Sequence, residues 1–330
     1  STGGRRLSVD ATGGQPDVVQ QVGTMTDINL QDFPHVAVIG QVLRNEAPYL
    51  ESVIDKQHSE FGGEWLVEFE TDIATFFAAD MAKLRLATQG YIRFVLDGML
   101  LQKRFDKTGE YAAKTYEQAA AEVYQNEEYM HTLYLPGIYL SHFLWRHHFL
   151  QHLYFLEYFV PKVKAHGGTT YYDVGVGTGF YLREMLRRVP GLQGHGFDLS
   201  PSSLSYTDTM LQAFGQRRDC ILSLQDILRE PPAVPASFLT NVEVLEHLED
   251  PLAFLRGLRS LLEPGGLGMI TAAVTAPNAD HIYLYNSVDE LVAQVKEAGF
   301  LLIDSREDKA YEPRRPGESV PRNAIVIVSR

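Results

Sequence analysis

From residue 41 to residue 160, apolar positions recur at helical spacing. Val42, Leu43, Leu50, Val53 and Ile54 follow this rhythm, and it continues from Trp65 to Phe105. Thr115 and Gln118 stand three apart before the run Ala119 to Tyr124, the pairing of a capping box. Pro136 suits the first turn of a long helix. That helix should end before Pro161, because proline lacks an N–H and disfavours helix in the residue before it. Strand-like runs are almost absent from this half.

After Gly167 the rhythm changes. Short β-rich runs at Thr169–Val174, Leu192–Leu199, Cys220–Leu224, Ser237–Val242 and Leu267–Ala273 predict strands. Between and after them, Phe180–Arg188, Ser202–Phe214, Leu252–Leu262 and Val288–Ala298 read as helices. Strands alternating with helices predict a parallel sheet covered on both faces. The chain closes on Phe300–Asp304 and Ala324–Val328 with only a polar loop between them, which predicts an antiparallel hairpin at one edge. The expected class is therefore α/β: a seven-stranded, mostly parallel sheet with an antiparallel C-terminal hairpin, preceded by α-helices. The expected division is a disordered tail at residues 1–24, a helical unit at 25–165 and a ligand-binding unit at 166–330. The switch falls in the linker Lys162 to Gly168.

Composition narrows the class of partner. The 330 residues are 45% hydrophobic and 22% charged, ordinary for a globular chain and enough for two units. A net charge of −13 argues against a nucleic-acid or anionic-membrane surface. The lone Cys220 rules out an internal disulfide framework and fits a reducing, cytoplasmic compartment. Ser1 to Gly14 has no apolar segment and reads as a disordered tail or as residues carried over from cloning, not as a secretory signal. The most apolar stretch, His142 to Val160, is broken by Arg146, several histidines and Glu157, so no membrane span is expected.

The sharpest chemical feature is Asp173-Val174-Gly175-Val176-Gly177-Thr178-Gly179-Phe180, between the first predicted strand and the first helix after it. Glycines permit a tight turn and close approach of a ligand to the backbone, and the helix start offers unpaired N–H groups. A dinucleotide fingerprint would place its third glycine at position 180, where Phe180 stands. Here the glycines Gly175, Gly177 and Gly179 fall at every second position, led by Asp173, which can accept from a ligand ammonium or orient the loop. Asp198 ends the second strand about 20 residues later, where an acid can hold both hydroxyls of a ribose. Asp226 follows the third strand, Asn241-Val242-Glu243-Val244-Leu245-Glu246-His247-Leu248-Glu249-Asp250-Pro251 follows the fourth, and Leu262-Glu263-Pro264-Gly265-Gly266 precedes the fifth.

Together, in this order, these segments resemble the class I, Rossmann-like, S-adenosylmethionine-dependent methyltransferases over roughly residues 165 to 330. The segment after the fourth strand looks like that of the ubiquinone-biosynthesis O-methyltransferases. The resemblance implies S-adenosylmethionine held by Asp173, Gly175, Gly177, Gly179, Asp198 and Leu199, with Asp226 and Ile227 at the adenine and Asn241 at the methionine part.

Glu243, Glu246 and His247 form an E-x-x-E-H pattern, and His281 follows the fifth strand. Such a set can bind a divalent cation (Mg, Mn or Fe). It resembles the plant small-RNA 2′-O-methyltransferases, whose similar segment and later histidine surround magnesium. A metal would hold the acceptor oxygen and lower its pKa. Two other readings stand beside it: His247 or His281 as general base with Glu246 bridging, or packing alone. In the helical half, aromatic and histidine residues crowd from Tyr129 to Phe159. Tyr134, Tyr139 and His142 there, with Tyr283 after the fifth strand, are expected to line an acceptor pocket. His148 and His152 have a metal-ligand spacing that more often reflects core pairing.

The expected activity is methyl transfer to a small-molecule, specialised metabolite, with O-methylation favoured over C- or N-methylation. The helices would form a lid or a homodimer interface. An NAD(P)-dependent oxidoreductase and a non-catalytic scaffold for a protein partner are the rival readings.

Overall fold

The computed structural model describes residues 30–330. The expectation of a tail at 1–24 lies outside the described residues. Helices come first: α1 (Pro34–Glu46), α2 (Val53–Phe77), α3 (Met81–Thr108), α4 (Tyr116–Glu122), the single turn α5 (Glu127–Tyr129), α6 (Leu135–Leu144), α7 (Arg146–Tyr154) and α8 (Val160–His166). The remainder alternates β1 (Thr170–Val174), α9 (Phe180–Arg188), β2 (Gln193–Asp198), α10 (Pro201–Ala213), β3 (Cys220–Leu224), β4 (Ala236–Asn241), α11 (Pro251–Leu261), β5 (Leu262–Val274) and α12 (Val288–Glu297). It closes with β6 (Leu301–Lys309) and β7 (Arg322–Ser329). The capping box forms as expected: Thr115 accepts from the Gln118 backbone N–H while the Gln118 side chain accepts from the Thr115 backbone N–H.

The seven strands make one sheet in the order β3-β2-β1-β4-β5-β7-β6. All neighbours are parallel except β5–β7 and β6–β7, so the closing pair is antiparallel and β7 inserts between β5 and β6. The sheet is covered on both faces, and the strands divide their side chains by the period of two. Tyr171, Ile325 and Ile327 join one buried cluster, while Tyr172, Val174, Ala324, Val326 and Val328 join the other. Helices α11 and α12 cover the second face. The first face is covered by α9 and α10 and, in the same continuous cluster, by residues of α1, α2, α3, α6 and α7.

One expected element is divided. The long helix from Pro136 breaks at Trp145, which is extended (φ −105°, ψ 124°). It then runs past Pro161 to His166. A wide π turn at Phe155–Phe159 precedes that proline. Proline cannot donate, and its ring crowds the carbonyl four residues back. A locally widened turn relieves both problems without ending the helix. Among the described residues, no helix is long and apolar enough to cross a membrane.

Candidate active site

The parallel strands deliver their C-terminal ends to one side of the sheet, where a cavity of about 1100 Å³ runs between the sheet and the helices. Its sheet wall includes Asp173, Gly175, Gly177, Asp198, Leu199, Asp226 and Ile227. Glu243, Glu246, His247 and His281 line its middle, and Tyr124, Tyr134 and His142 belong to its helical wall.

The turn after β1 is shaped by backbone geometry. Gly175 has φ +74°, and a Cβ there would lie 2.4 Å from Val244 Cγ2. The backbone N–H groups of Gly175 and Val176 donate to the Phe197 carbonyl at 2.8 and 3.0 Å, pinning the turn to β2. Asp198 reinforces this: it accepts from Gly177 N at 3.0 Å and from Ser200 N at 2.8 Å. Asp173 is buried and accepts from Thr240 Oγ1 at 2.7 Å. Burial, helped by the charge of Asp198 and opposed by the Thr240 bond, pushes the Asp173 carboxyl up to about 7. Asp226 accepts from Leu228 N at 2.9 Å and so caps its own turn. Asn241 donates to the Val174 carbonyl at 2.8 Å. Neither Asn241 nor Gly179 lines the cavity; Gly179 starts α9, and the Asn241 side chain ties β4 to β1.

The middle of the cavity is strongly acidic and buried. Glu243 adopts φ +53°, a left-handed conformation that costs a non-glycine residue strain and is often met at functional sites. Thr271 holds it there, accepting from Glu243 N at 3.0 Å and donating to Glu243 Oε1 at 2.8 Å. Burial raises Glu243 to about 7, and burial together with the charge of Glu243 raises Glu246 well above the carboxylate range. Both carboxylate oxygens of Glu246 are buried without a hydrogen-bond partner. The Ile282 and Tyr283 backbone N–H groups donate to the Glu246 carbonyl at 2.7 and 2.9 Å, which brings the loop bearing His281 alongside. One ligand atom from each of Glu246, His247 and His281 lies within 4.8 Å of the others.

The partners of the two imidazoles fix their tautomers. His281 Nδ1 lies 2.6 Å from the Ala276 carbonyl, which only accepts, so Nδ1 carries the proton and Nε2 is free. The Tyr124 hydroxyl donates to Asp280 Oδ2 at 2.7 Å and lies 2.5 Å from His247 Nδ1. Its single proton goes to the carboxylate, so His247 Nδ1–H donates to the Tyr124 oxygen and Nε2 is free, 3.8 Å from Glu246 Oε1. Tyr134 also donates to Asp280 Oδ2, at 2.6 Å. Burial works to raise Asp280, but His247, His281 and the two hydroxyls outweigh it and hold this carboxyl below its ordinary range. The hydroxyl bonds persist whether or not the imidazoles are charged. Burial lowers both histidines, His281 to about 4.

The helices contribute through the segment around α4. Ala276 N donates to the Tyr111 hydroxyl at 3.0 Å, Lys114 donates to the Ala279 carbonyl at 3.1 Å, and Tyr116 N donates to Glu249 at 2.9 Å. Tyr124 and Asp280 were not singled out by the sequence. Asp280 was visible only as an acid beside His281, and nothing local marks Tyr124. Two expected pocket roles need correction. Tyr283 does not line the cavity; its hydroxyl donates to Glu290 at 3.2 Å and accepts from Gln294 at 2.9 Å. Tyr139 is buried behind the wall, donating to Asp72 at 2.5 Å. His148 and His152 have core partners, the more common meaning of their spacing: His152 Nε2 bonds Glu68 at 2.9 Å and His148 Nδ1 bonds Ser141 at 2.8 Å.

A family model described as a methyltransferase domain matches residues 172–267. A ubiquinone biosynthesis O-methyltransferase of Xanthomonas euvesicatoria is 31% identical over 182 residues, covering 48% of this chain and 73% of that protein. Its counterpart in Xanthomonas campestris is 35% identical over 127 residues, 38% of this chain and 51% of the relative, so the chain spans about half of that relative's length. Among solved structures, an O-methyltransferase family protein from Burkholderia thailandensis is similar with a TM-score of 0.51 at 14% identity, covering 74% of this chain and 71% of that one. The last similarity concerns the fold alone.

Proposed function

This chain belongs to the class I S-adenosylmethionine-dependent methyltransferases, and we propose that it methylates an oxygen of a small, largely apolar specialised metabolite. The observation that carries this reading is the single cavity joining Asp173, Asp198 and Asp226 to Glu246, His247 and His281. At about 1100 Å³ it exceeds the roughly 300–1,000 Å³ of a pocket for one ligand, leaving room for donor and acceptor together. S-adenosylmethionine, when bound, supplies an electrophilic methyl group on a sulfonium. Asp173 would receive its ammonium, Asp198 the ribose and Asp226 the adenine, while Gly175 lets the backbone come close.

The residues in the middle of the cavity fit an acceptor oxygen. His247 and His281 each present a deprotonated Nε2 beside Glu246, so either can take the acceptor's proton at that atom. Tyr124 and Asp280 hold the His247 ring in the required tautomer. The α4 segment covers the site and excludes water. The same set fits a divalent cation. The carboxylate oxygens of Glu246 have no partner, and each histidine donates its other N–H to a fixed acceptor, as metal-binding histidines do. Glu246, His247 and His281 would hold the cation, which would supply Lewis acidity toward the acceptor oxygen; Glu243 stands outside this group, bonded to Thr271. The net charge of −13 supports a metabolite over a nucleic acid as acceptor.

The test is turnover of methyl-labelled S-adenosylmethionine against a panel of phenols and alcohols, with the labelled atom identified by mass spectrometry and NMR. Oxygen labelling is expected. Labelling on carbon or nitrogen would overturn the oxygen assignment. A further assay with a chelator separates the two roles at Glu246: activity that survives chelation removes the cation and leaves the imidazoles as base.

A further inference from the structure

We propose that the helical end of the cavity is a recognition subsite for an uncharged hydroxyl group on a flat, apolar acceptor, formed by the imidazoles of His142, His147 and His148. The proposal rests on the methyltransferase reading of the same cavity and names the acceptor's chemistry. All three side chains line the cavity and are more than nine-tenths buried, with 6%, 5% and 8% exposure. His142 is on α6 and the other two are on α7, and the extended break at Trp145 brings them together. The ring centres of His147 and His148 are 4.5 Å apart, and those of His142 and His148 are 6.0 Å apart.

Their hydrogen bonding is incomplete. His142 and His147 have no hydrogen-bond partner on either ring nitrogen among the described residues, and Nδ1 of each is buried. His148 uses only Nδ1. Ser141 Oγ donates to the Ile138 carbonyl at 2.7 Å, so His148 Nδ1–H must donate to Ser141 and Nε2 is left as an acceptor. Elsewhere the buried histidines have at least one ring nitrogen paired, although His152 Nδ1 is also left without a partner. His35 bonds Glu70 and the Ala78 carbonyl, both at 2.7 Å, and His152 bonds Glu68 at 2.9 Å. Buried polar groups left open beside a cavity call for a partner.

The surroundings define that partner. Trp145 lies flat against His147 (5.6 Å, 12°) and Phe94 (5.5 Å, 19°), and His142 against Phe180 (4.1 Å, 16°), so the walls suit a planar ring. Burial keeps all three imidazoles neutral, His148 at about 3. A carboxylate would therefore meet no cation from them. A neutral imidazole offers one N–H and one lone pair, and a hydroxyl answers both.

The test uses the full chain saturated with S-adenosylhomocysteine and equilibrium dialysis of three probes: 2-naphthol, naphthalene and 2-naphthoate. 2-Naphthol is expected to bind about tenfold more tightly than naphthalene, the gain of a buried hydrogen bond, and 2-naphthoate no more tightly than naphthalene. The double variant His147→Phe/His148→Phe keeps flat rings and should abolish the preference while naphthalene binding stays within about twofold. His148→Gln, which still hydrogen-bonds, should retain part of it. The affinity for S-adenosylhomocysteine reports that the variants are folded. Equal binding of 2-naphthol and naphthalene by the natural chain overturns the subsite, as does a preference that survives in the folded double variant or stronger binding of the carboxylate. Failure of the natural chain to bind S-adenosylhomocysteine overturns the methyltransferase reading instead.

Discussion

At the scale of single residues, Asp173 shows what burial does to a carboxylate. Its folded pKa of about 7 lies above the roughly 3.9 of an exposed aspartate. The group therefore takes up a proton on folding, and its contribution to stability is present at low pH and lost as pH rises from about 4 through 7. A cationic amino group prefers the ionised form. The affinity for S-adenosylhomocysteine should be flat above pH 7 and fall up to about tenfold per pH unit below it. Titration calorimetry across pH 5.5 to 8.5 tests this; Asp173→Asn should flatten the profile, and an unchanged slope in that variant would reassign the effect. Gly175 offers a second residue-scale check. Gly175→Ala must adopt φ +74° at a cost of about 1–2 kcal/mol and meet Val244, so cofactor affinity should drop by about tenfold or more. Both residues stand out in the sequence because they belong to one short segment, the end of β1 and the turn after it. Tyr124 was not, since its partners His247 and Asp280 lie more than a hundred residues away and only the fold brings them together.

At the scale of elements, the strands were legible because strand-forming runs stand out between helices, and the central ones, β1, β4 and β7, are buried on both faces. The break at Trp145 was not. No proline or glycine marks it, and the extended conformation there goes with the packing of Trp145 against Phe94 and His148, a tertiary cause invisible to local pattern. The persistence of helix beyond Pro161 has a similar origin, since the π turn before it absorbs the missing bond. The capping box on α4 was readable and has a functional consequence. Its helix carries the segment that reaches Glu249, Ala276 and Ala279 from the helical side. Thr115→Ala should cost about 1 kcal/mol of local stability. Hydrogen exchange should quicken across residues 111–124 while the strands keep their protection. Uniform quickening across the sheet would mean that α4 does not open independently.

At the scale of the whole molecule, the helices and the sheet share one core, and a buried charge cluster joins them. Arg183 on α9 is fully buried, with Nη1 2.6 Å from Asp72 of α2 and Nη2 3.1 Å from Glu184. Tyr139 completes the Asp72 shell at 2.5 Å, and Arg187 and Arg188 share Glu184 at 2.8 and 3.4 Å. Helix α9 begins at the glycine turn, so this cluster fixes that turn relative to the helical wall that would hold the acceptor. Removing one partner of such a pair strands a charge in a low dielectric, whereas replacing both with apolar groups removes the desolvation cost as well. Arg183→Met should therefore destabilise the chain by roughly 3–5 kcal/mol in urea unfolding. Asp72→Leu/Arg183→Met should recover most of that, because Glu184 keeps Arg187 and Arg188. The recovered double variant separates stability from alignment. If the cluster aligns the two walls, its cofactor affinity should stay near that of the natural chain while KM for the acceptor rises. A double variant with natural stability and natural KM would reduce the cluster to a filler of the core.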